Sequence, residues 1–373
     1  MRTICISALL LACIGCSTAP ETTQLNVLDF GAAEGTDITP ALQAALDSCG
    51  ALGGGRVSVP EGHYYCHTFY LRDNTDLHLE EGAWLQGVED PDAYSPYIPD
   101  KDLSRFDSGG GTANANCAAD RQWMKAMVIG AGVSGASISG SGTLDGSHVF
   151  DVRGEESMRG PHTVIVACSP GFRMEGIHIT RASNYAFLGY DLQAPVFENL
   201  DISEGWDGIH ICGASDAIIR GCRFRTGDDS IAGGYWNNML IENCDINSSC
   251  NGLRLIMPAD GLEVRDCRFH GPGEFPHRTS GELRRCNMLF GIVLEPGAWG
   301  RAEGPVKNVY LHGLTMENLD AAFSTSVREG CSGEDLLIEN VTASGLYGSR
   351  TPIVSWNDLG FRDIRIKDFK MQN

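Results

Sequence analysis

Three aspartates carry the chemistry that is first legible in this 373-residue chain. Asp207-Gly-Ile209, Asp229-Ser-Ile231 and Asn251-Gly-Leu253 share one pattern at steps of 22 and 22 residues. If each step is one turn of a repeating fold, Asp207, Asp229 and Asn251 stack on successive turns. Asp228 directly precedes Asp229, so three carboxyl groups crowd one patch. Like charges that close cannot all ionise easily, and one pKa should rise. A protonated carboxyl beside an ionised one is what general acid/base catalysis requires. Carboxylate clusters also bind hard cations, so a calcium site and a plain solvated turn stand beside catalysis as readings.

Adjacent side chains of a regular strand point to opposite faces. Asp228 and Asp229 therefore share a cleft only if the chain turns at Thr226-Gly227 before the next strand begins, a turn that Gly227 permits. Other residues fall near the same patch. Arg254 should project from the face of the acids, as a substrate contact or as an ion pair with one of them. His210 follows Ile209 on that face and could touch a ligand, adjust an acid or be solvated. His277 and Arg278, with Arg284 and Arg285 behind them, suggest a local basic patch or an ordinary surface loop. His162 is a further contact candidate. Trp206, Tyr235 and Trp236 flank the acids and could stack on a ring or pack in the core.

The elements that must position these residues repeat. Glu175–Ile179, Glu198–Ile202, Arg220–Phe224, Glu242–Ile246 and Arg265–Phe269 align at steps of 23, 22, 22 and 23 residues. Apolar positions alternate with a polar one, the period of a β-strand. One inward ladder runs Ile177, Leu200, Cys222, Cys244 and Cys267; a second runs Ile179, Ile202, Phe224, Ile246 and Phe269. A third, before the corner, runs Met174, Phe197, Ile219, Ile241 and Val264. Gly176, Asn199, Gly221, Asn243 and Asp266 mark a bend in each coil. The outward column His178, Asp201, Arg223, Asp245, Arg268 alternates in sign from Asp201 onward, which suits parallel strands ~4.8 Å apart. The pattern predicts an all-β fold, a right-handed parallel β-helix in which stacking closes a core that no coil closes alone.

The ends fit a solenoid. Thr39-Pro40 reads as the start of a short capping helix with Leu42, Ala45, Leu46 and Cys49 on one face and Gly50 at its end. Beyond Cys267 the register loosens. Residues 271–285 and 295–305 read as long loops, as does the Gly- and Asn-rich stretch 107–116, and strand-like runs return at 309–314, 336–341 and 364–369.

Charge and cysteine content narrow the partners. With 48 acidic and 28 basic residues the net charge is −20, which argues against nucleic acid. Residues 1–24 are expected to be an export segment and tether. Arg2 precedes an apolar run too short to cross a bilayer, which needs ~20 residues. Leu11-Ala12-Cys13 and Ile14-Gly15-Cys16 each resemble a bacterial lipobox. Lipid at Cys13 or Cys16 would place the protein in the cell envelope; ordinary cleavage would secrete it. Of 14 cysteines, removing Cys5, Cys13 and Cys16 leaves an odd number, so a fully paired disulfide framework is excluded. Residues 25–373 are expected to form one β-helix domain, a monomer whose only membrane link is the anchor.

The sequence resembles glycoside hydrolase family 28, the polygalacturonase-like enzymes of the pectin-lyase-like superfamily, as a divergent member. Val27–Ala32, Gly53–Gly55, Val59-Pro60, Gly62, Leu79–Ala83 and Gly140–Gly146 look like that family's opening coils. Its Gly-Asp-Asp segment is intact at Gly227–Asp229, and its Asn-Thr-Asp segment falls on Gly205–Asp207, keeping only the Asp. Its Gly-His-Gly segment falls near Ser249–Gly252 without the His. Its Arg-Ile-Lys segment has no counterpart where expected; Ile364–Lys367 lies too far downstream. The resemblance implies hydrolysis of an acidic plant-type polysaccharide with inversion, Asp228 protonating the leaving oxygen and Asp207 with Asp229 activating water. It implies no metal or other cofactor. Two other functions fit the same coils: a calcium-assisted polysaccharide lyase using Arg254, and a non-catalytic glycan-binding solenoid.

Overall fold

The computed structural model describes residues 23–107, 116–298, 303–355 and 360–372. The expected leader through residue 22, with Cys13 and Cys16, lies outside the described residues, as do parts of the loops at 107–116 and 295–305. Thr23 and Gln24, expected in the tether, instead pair with Gly55 and Arg56 and open the first strand.

The 22- and 23-residue steps are coils. All 28 described strands belong to one hydrogen-bonded system, paired between successive coils in parallel along three columns. In the first column Met174 stands beside Phe197, then Ile219, Ile241 and Val264. In the second, Ile179 stands beside Ile202, Phe224, Ile246 and Phe269. The third carries Phe187, Ile209, Ile231 and Leu253. All three expected ladders are buried in one continuous core. The bends also fall where expected: Gly176, Asn199, Gly221, Asn243 and Asp266 all have left-handed φ, between 52° and 78°. Each turns the chain from the first column into the second.

The loose C-terminal register resolves into long strands. Gly304–Glu317, Cys331–Ser344 and Arg362–Gln372 each run through the first corner and pair in both adjoining columns. The capping helix is Thr39–Ala51, and its buried face holds the expected Leu42, Ala45, Leu46 and Cys49. Its start differs from the expectation. Thr39 is already helical, and the Asp37 carboxylate accepts from the Thr39 N–H at 2.9 Å and from its hydroxyl at 2.7 Å. The carboxylate satisfies an amide that the helix itself leaves open. No disulfide joins any two of the eleven described cysteines.

Most strands alternate buried and open residues, but Ala126–Ala131 and His162–Ala167 of the third column are buried almost throughout. Their outward side chains Ile129 and Ile165 join Leu103, Phe106, Trp123 and Met124 in a second apolar cluster. The excursion between Gly87 and Ala126 supplies that cover, beside the turn that holds the aspartates.

Candidate active site

Asp228 and Asp229 lie on a bend between the strands Arg223–Thr226 and Ile231–Glu242, where the coil passes from the second column to the third. Off the strand, neighbouring side chains are free to point into one groove. The Asp228 carbonyl accepts from the Thr226 and Ser248 hydroxyls, both at 2.7 Å, which pins the bend. Gly227 is required by crowding rather than by a left-handed φ: a Cβ there would meet the Gly205 carbonyl oxygen at 2.4 Å. The expected stack is present, since the Gly208 amide donates to the Asp229 carbonyl and the Ser230 amide to that of Asn251, each at 3.0 Å.

The three carboxyl groups have different surroundings. Asp207 Oδ2 lies 2.8 Å from His210 Nδ1, and the His210 ring stacks on Tyr185 at 4.7 Å. Burial, then the charges of Asp228 and Asp229, holds the Asp207 carboxyl well above its usual range. Asp229 accepts from the Asn251 side-chain amide at 2.7 Å and faces Arg254 at 3.7 Å. Burial and Asp228 still raise its pKa. Asp228 goes the other way. Burial pushes it up, but a hydrogen bond from His277 and the charge of Arg159 outweigh that and hold it below the usual range. Arg159 Nη2 and His277 Nε2 stand 3.4 and 3.5 Å from Asp228 Oδ2. Asp228 is also the most open of the three, with its side chain 15% exposed against 6% for each of the others.

Arg159 escaped the sequence reading. Its side chain is 5% exposed and pairs with Glu155, Glu156 and Asp228. Its guanidinium lies 3.7 Å over the Trp206 ring. Burial disfavours its charge, but the surrounding groups, Glu155 first, outweigh that and keep it charged. Arg254 lies on the face of the acids as expected, and it also pairs with Glu295 at 3.0 Å. Cys250 occupies the segment where the resemblance lacks a His. Its ligand atom and those of Asp228 and Asp229 lie within 4.8 Å of one another. Burial, then the two aspartates, drives the thiol pKa well up, so it keeps its proton. A protonated thiol is a poor partner for calcium, which takes oxygen ligands.

Three candidate contacts do not hold. Trp236 points into the coil core, its Nε1 donating to the Ile211 carbonyl at 2.9 Å. Left-handed φ at Gly233, Gly234 and Tyr235 breaks the strand alternation just before it. Trp206 is close to the acids but only 1% exposed, lying under Arg159 with His277 edge-on and Arg278 5.8 Å from its ring. It supports cations and offers no open face for stacking. His162 is 1% exposed, its Nδ1 accepting from the Tyr185 amide while Trp123 meets it edge-on. Burial, then His210 and Arg159, pushes its pKa well down, so it is a neutral packing residue. His277, by contrast, belongs to the cluster, and Arg278 reaches its edge. Arg278 is half-buried and, among the described residues, has no carboxylate within ion-pairing distance.

The comparisons with known proteins bear on this geometry. A family model described as a right handed beta helix region matches residues 162–302, the coils that carry the cluster. The fold is thus a right-handed parallel β-helix. No curated protein matches the sequence. Among solved structures, a polygalacturonase from Erwinia carotovora superposes with a TM-score of 0.62 at 15% identity, covering 95% of each chain. An endo-xylogalacturonan hydrolase from Aspergillus tubingensis gives 0.60 at 17% identity, over 94% of this chain and 93% of that one. The A-module of a mannuronan C-5 epimerase from Azotobacter vinelandii gives 0.58 at 13% identity, over 94% and 97%. At these identities the likeness establishes the fold.

Proposed function

We propose that this chain is a glycoside hydrolase acting on an anionic polysaccharide or its oligosaccharides by an inverting acid/base mechanism. One observation carries the reading: Asp228 and Asp229 share one bend with Asp207 one coil before them, with Arg159 and His277 holding Asp228 charged while Asp207 is pushed toward its protonated form. Glycoside hydrolysis needs one carboxyl to protonate the leaving oxygen and another to activate water. Without substrate Asp207 carries a proton and Asp228 is charged. Substrate that displaces water from Asp228 raises its pKa, so that Asp228, the most open of the three, takes up a proton from solvent and gives it to the leaving oxygen. Asp229, oriented by Asn251 and Arg254, activates the water. Arg278, half-buried and, among the described residues, outside ion-pairing distance of a carboxylate in a chain of net charge −20, supports an anionic substrate. From the leader we also propose export, with lipid at Cys13 or Cys16 or with ordinary cleavage and secretion, and a monomeric chain.

The test is incubation with pectic and other acidic glycans, with product analysis. New reducing ends on saturated products are expected, lost on Asp228→Asn with the fold intact. A chelator-sensitive, ultraviolet-absorbing unsaturated product would replace hydrolysis by lyase chemistry. Binding without product would leave a glycan-binding solenoid.

A further inference from the structure

Arg159 serves two places at once. Its Nη2 stands beside Asp228, while its Nη1 lies 3.4 Å from Glu155 Oε2 without hydrogen-bonding geometry. Next to this pair is a cavity of about 60 Å³, lined among others by Asn116, Gln122, Trp123, Glu155, Arg159 and Asn184. Asn116 Oδ1, Glu155 Oε2, Arg159 Nη1 and Asn184 Oδ1 are buried there with no hydrogen-bond partner. Asn184 as a whole is only 3% exposed. Glu155 Oε2 and Arg159 Nη1 face each other as an ion pair, which leaves the buried Asn116 and Asn184 oxygens without a partner beside the cavity; buried polar groups are nearly always satisfied, so these two call for water or a ligand group.

The donor set restricts the occupant. A bare cation would suit the three oxygens but meet the guanidinium. An anion would suit Arg159 but meet the Glu155 carboxylate. A hydroxyl both donates and accepts, so it can give its proton to Glu155, Asn116 or Asn184 and accept one from Arg159. The cavity has room for a few waters or for neighbouring hydroxyls in their place. Its position suits the second. Phe187 pairs with Ile209, which sets Asn184 one coil ahead of Trp206, along the stacking direction from Asp207.

We propose that this cavity is a subsite for paired sugar hydroxyls, joined through the Arg159 guanidinium to the aspartate cluster; the inference rests on the reading of the protein as a hydrolase. It anchors one edge of a sugar while the neighbouring glycosidic bond lies at Asp228. Sites that hydrogen-bond a hydroxyl discriminate strongly, because an unfilled site leaves its own polar groups unpaired.

The experiment uses the full chain. Trigalacturonate and its neutral counterpart galactotriose are titrated by calorimetry into Asp228→Asn protein, alone and combined with Asn184→Leu or Asn116→Ala. The probe that binds is expected to lose affinity about tenfold or more with Asn184→Leu. In the active protein the same substitution should raise KM while kcat changes little. Asn116→Ala, on the outer wall, tests the same cavity should Asn184→Leu fail to fold. Affinity within twofold in both variants overturns the subsite, as does failure of both probes to bind. Asn184-dependent binding with no turnover of any glycan would sink the hydrolase reading and leave the subsite standing.

Discussion

Two polar columns climb the same coils with opposite electrostatic logic. The outer column His178, Asp201, Arg223, Asp245, Arg268 alternates in sign, and two pairs form along it, His178 with Asp201 at 3.6 Å and Arg268 with Asp245 at 3.4 Å, while Asp201 also takes Arg225. It is partly exposed, and its pairs are worth little each. The column at the turn stacks like charges instead: Asp207, then Asp228 and Asp229, with Asn251 above. Such a stack costs stability unless protons and cations intervene. Here both do, since Asp207 is pushed toward its neutral form while Arg159, His277 and Arg254 face the others. Coils tolerate the first column as scaffold; the second makes sense as a site.

The largest effect expected from breaking this contrast is catalytic. Asp228→Asn should lower turnover by about 10³-fold or more while circular dichroism and glycan binding persist. Next comes the buried cation. Arg159→Ala leaves Glu155 and Asp228 without it and should cost about 3–5 kcal/mol in urea unfolding. A loss below ~1 kcal/mol would mean that Arg159 does not hold the cluster together.

Stability against pH sharpens the contrast within the column, because the two shifts have opposite signs. A raised carboxyl such as Asp207 contributes stability below its unfolded pKa of ~3.9, and loses it as pH rises through the folded value. A lowered one such as Asp228 contributes stability above ~3.9, and loses it as pH falls. Asp207→Asn should therefore relieve strain at neutral pH, with the benefit fading near pH ~4, whereas Asp228→Asn should destabilise at neutral pH. Melting curves across this range check both; the same sign for both variants would contradict the assigned charges. The smallest effect belongs to the scaffold column. Arg268→Ala should change stability by less than ~1 kcal/mol, and less still at high salt.

Much of the frame was legible because a solenoid repeats its reasons. Each coil carries the same inward apolar positions and the same left-handed bend, so Gly176, Asn199, Gly221, Asn243 and Asp266 could be aligned by counting. The stack of Asp207, Asp229 and Asn251 followed from the same step. What repetition does not encode was not legible. Arg159 reaches Asp228 across 69 residues from an irregular segment before its coil, outside any register. Trp236 looked like a neighbour of the acids until three left-handed residues turned it inward. Trp206 and His162 sit at the right height, but the excursion after Gly87 and the cations above Trp206 cover them. Burial made by distant loops is invisible to spacing.

The most direct measurement follows the anomeric proton by NMR while wild-type and Asp228→Asn chains act on a pectic oligosaccharide. A saturated product is expected, released with inverted anomeric configuration by the wild type and not by the variant, which still binds the sugar. Equal product from the variant, or a product carrying a new double bond, would contradict the mechanism.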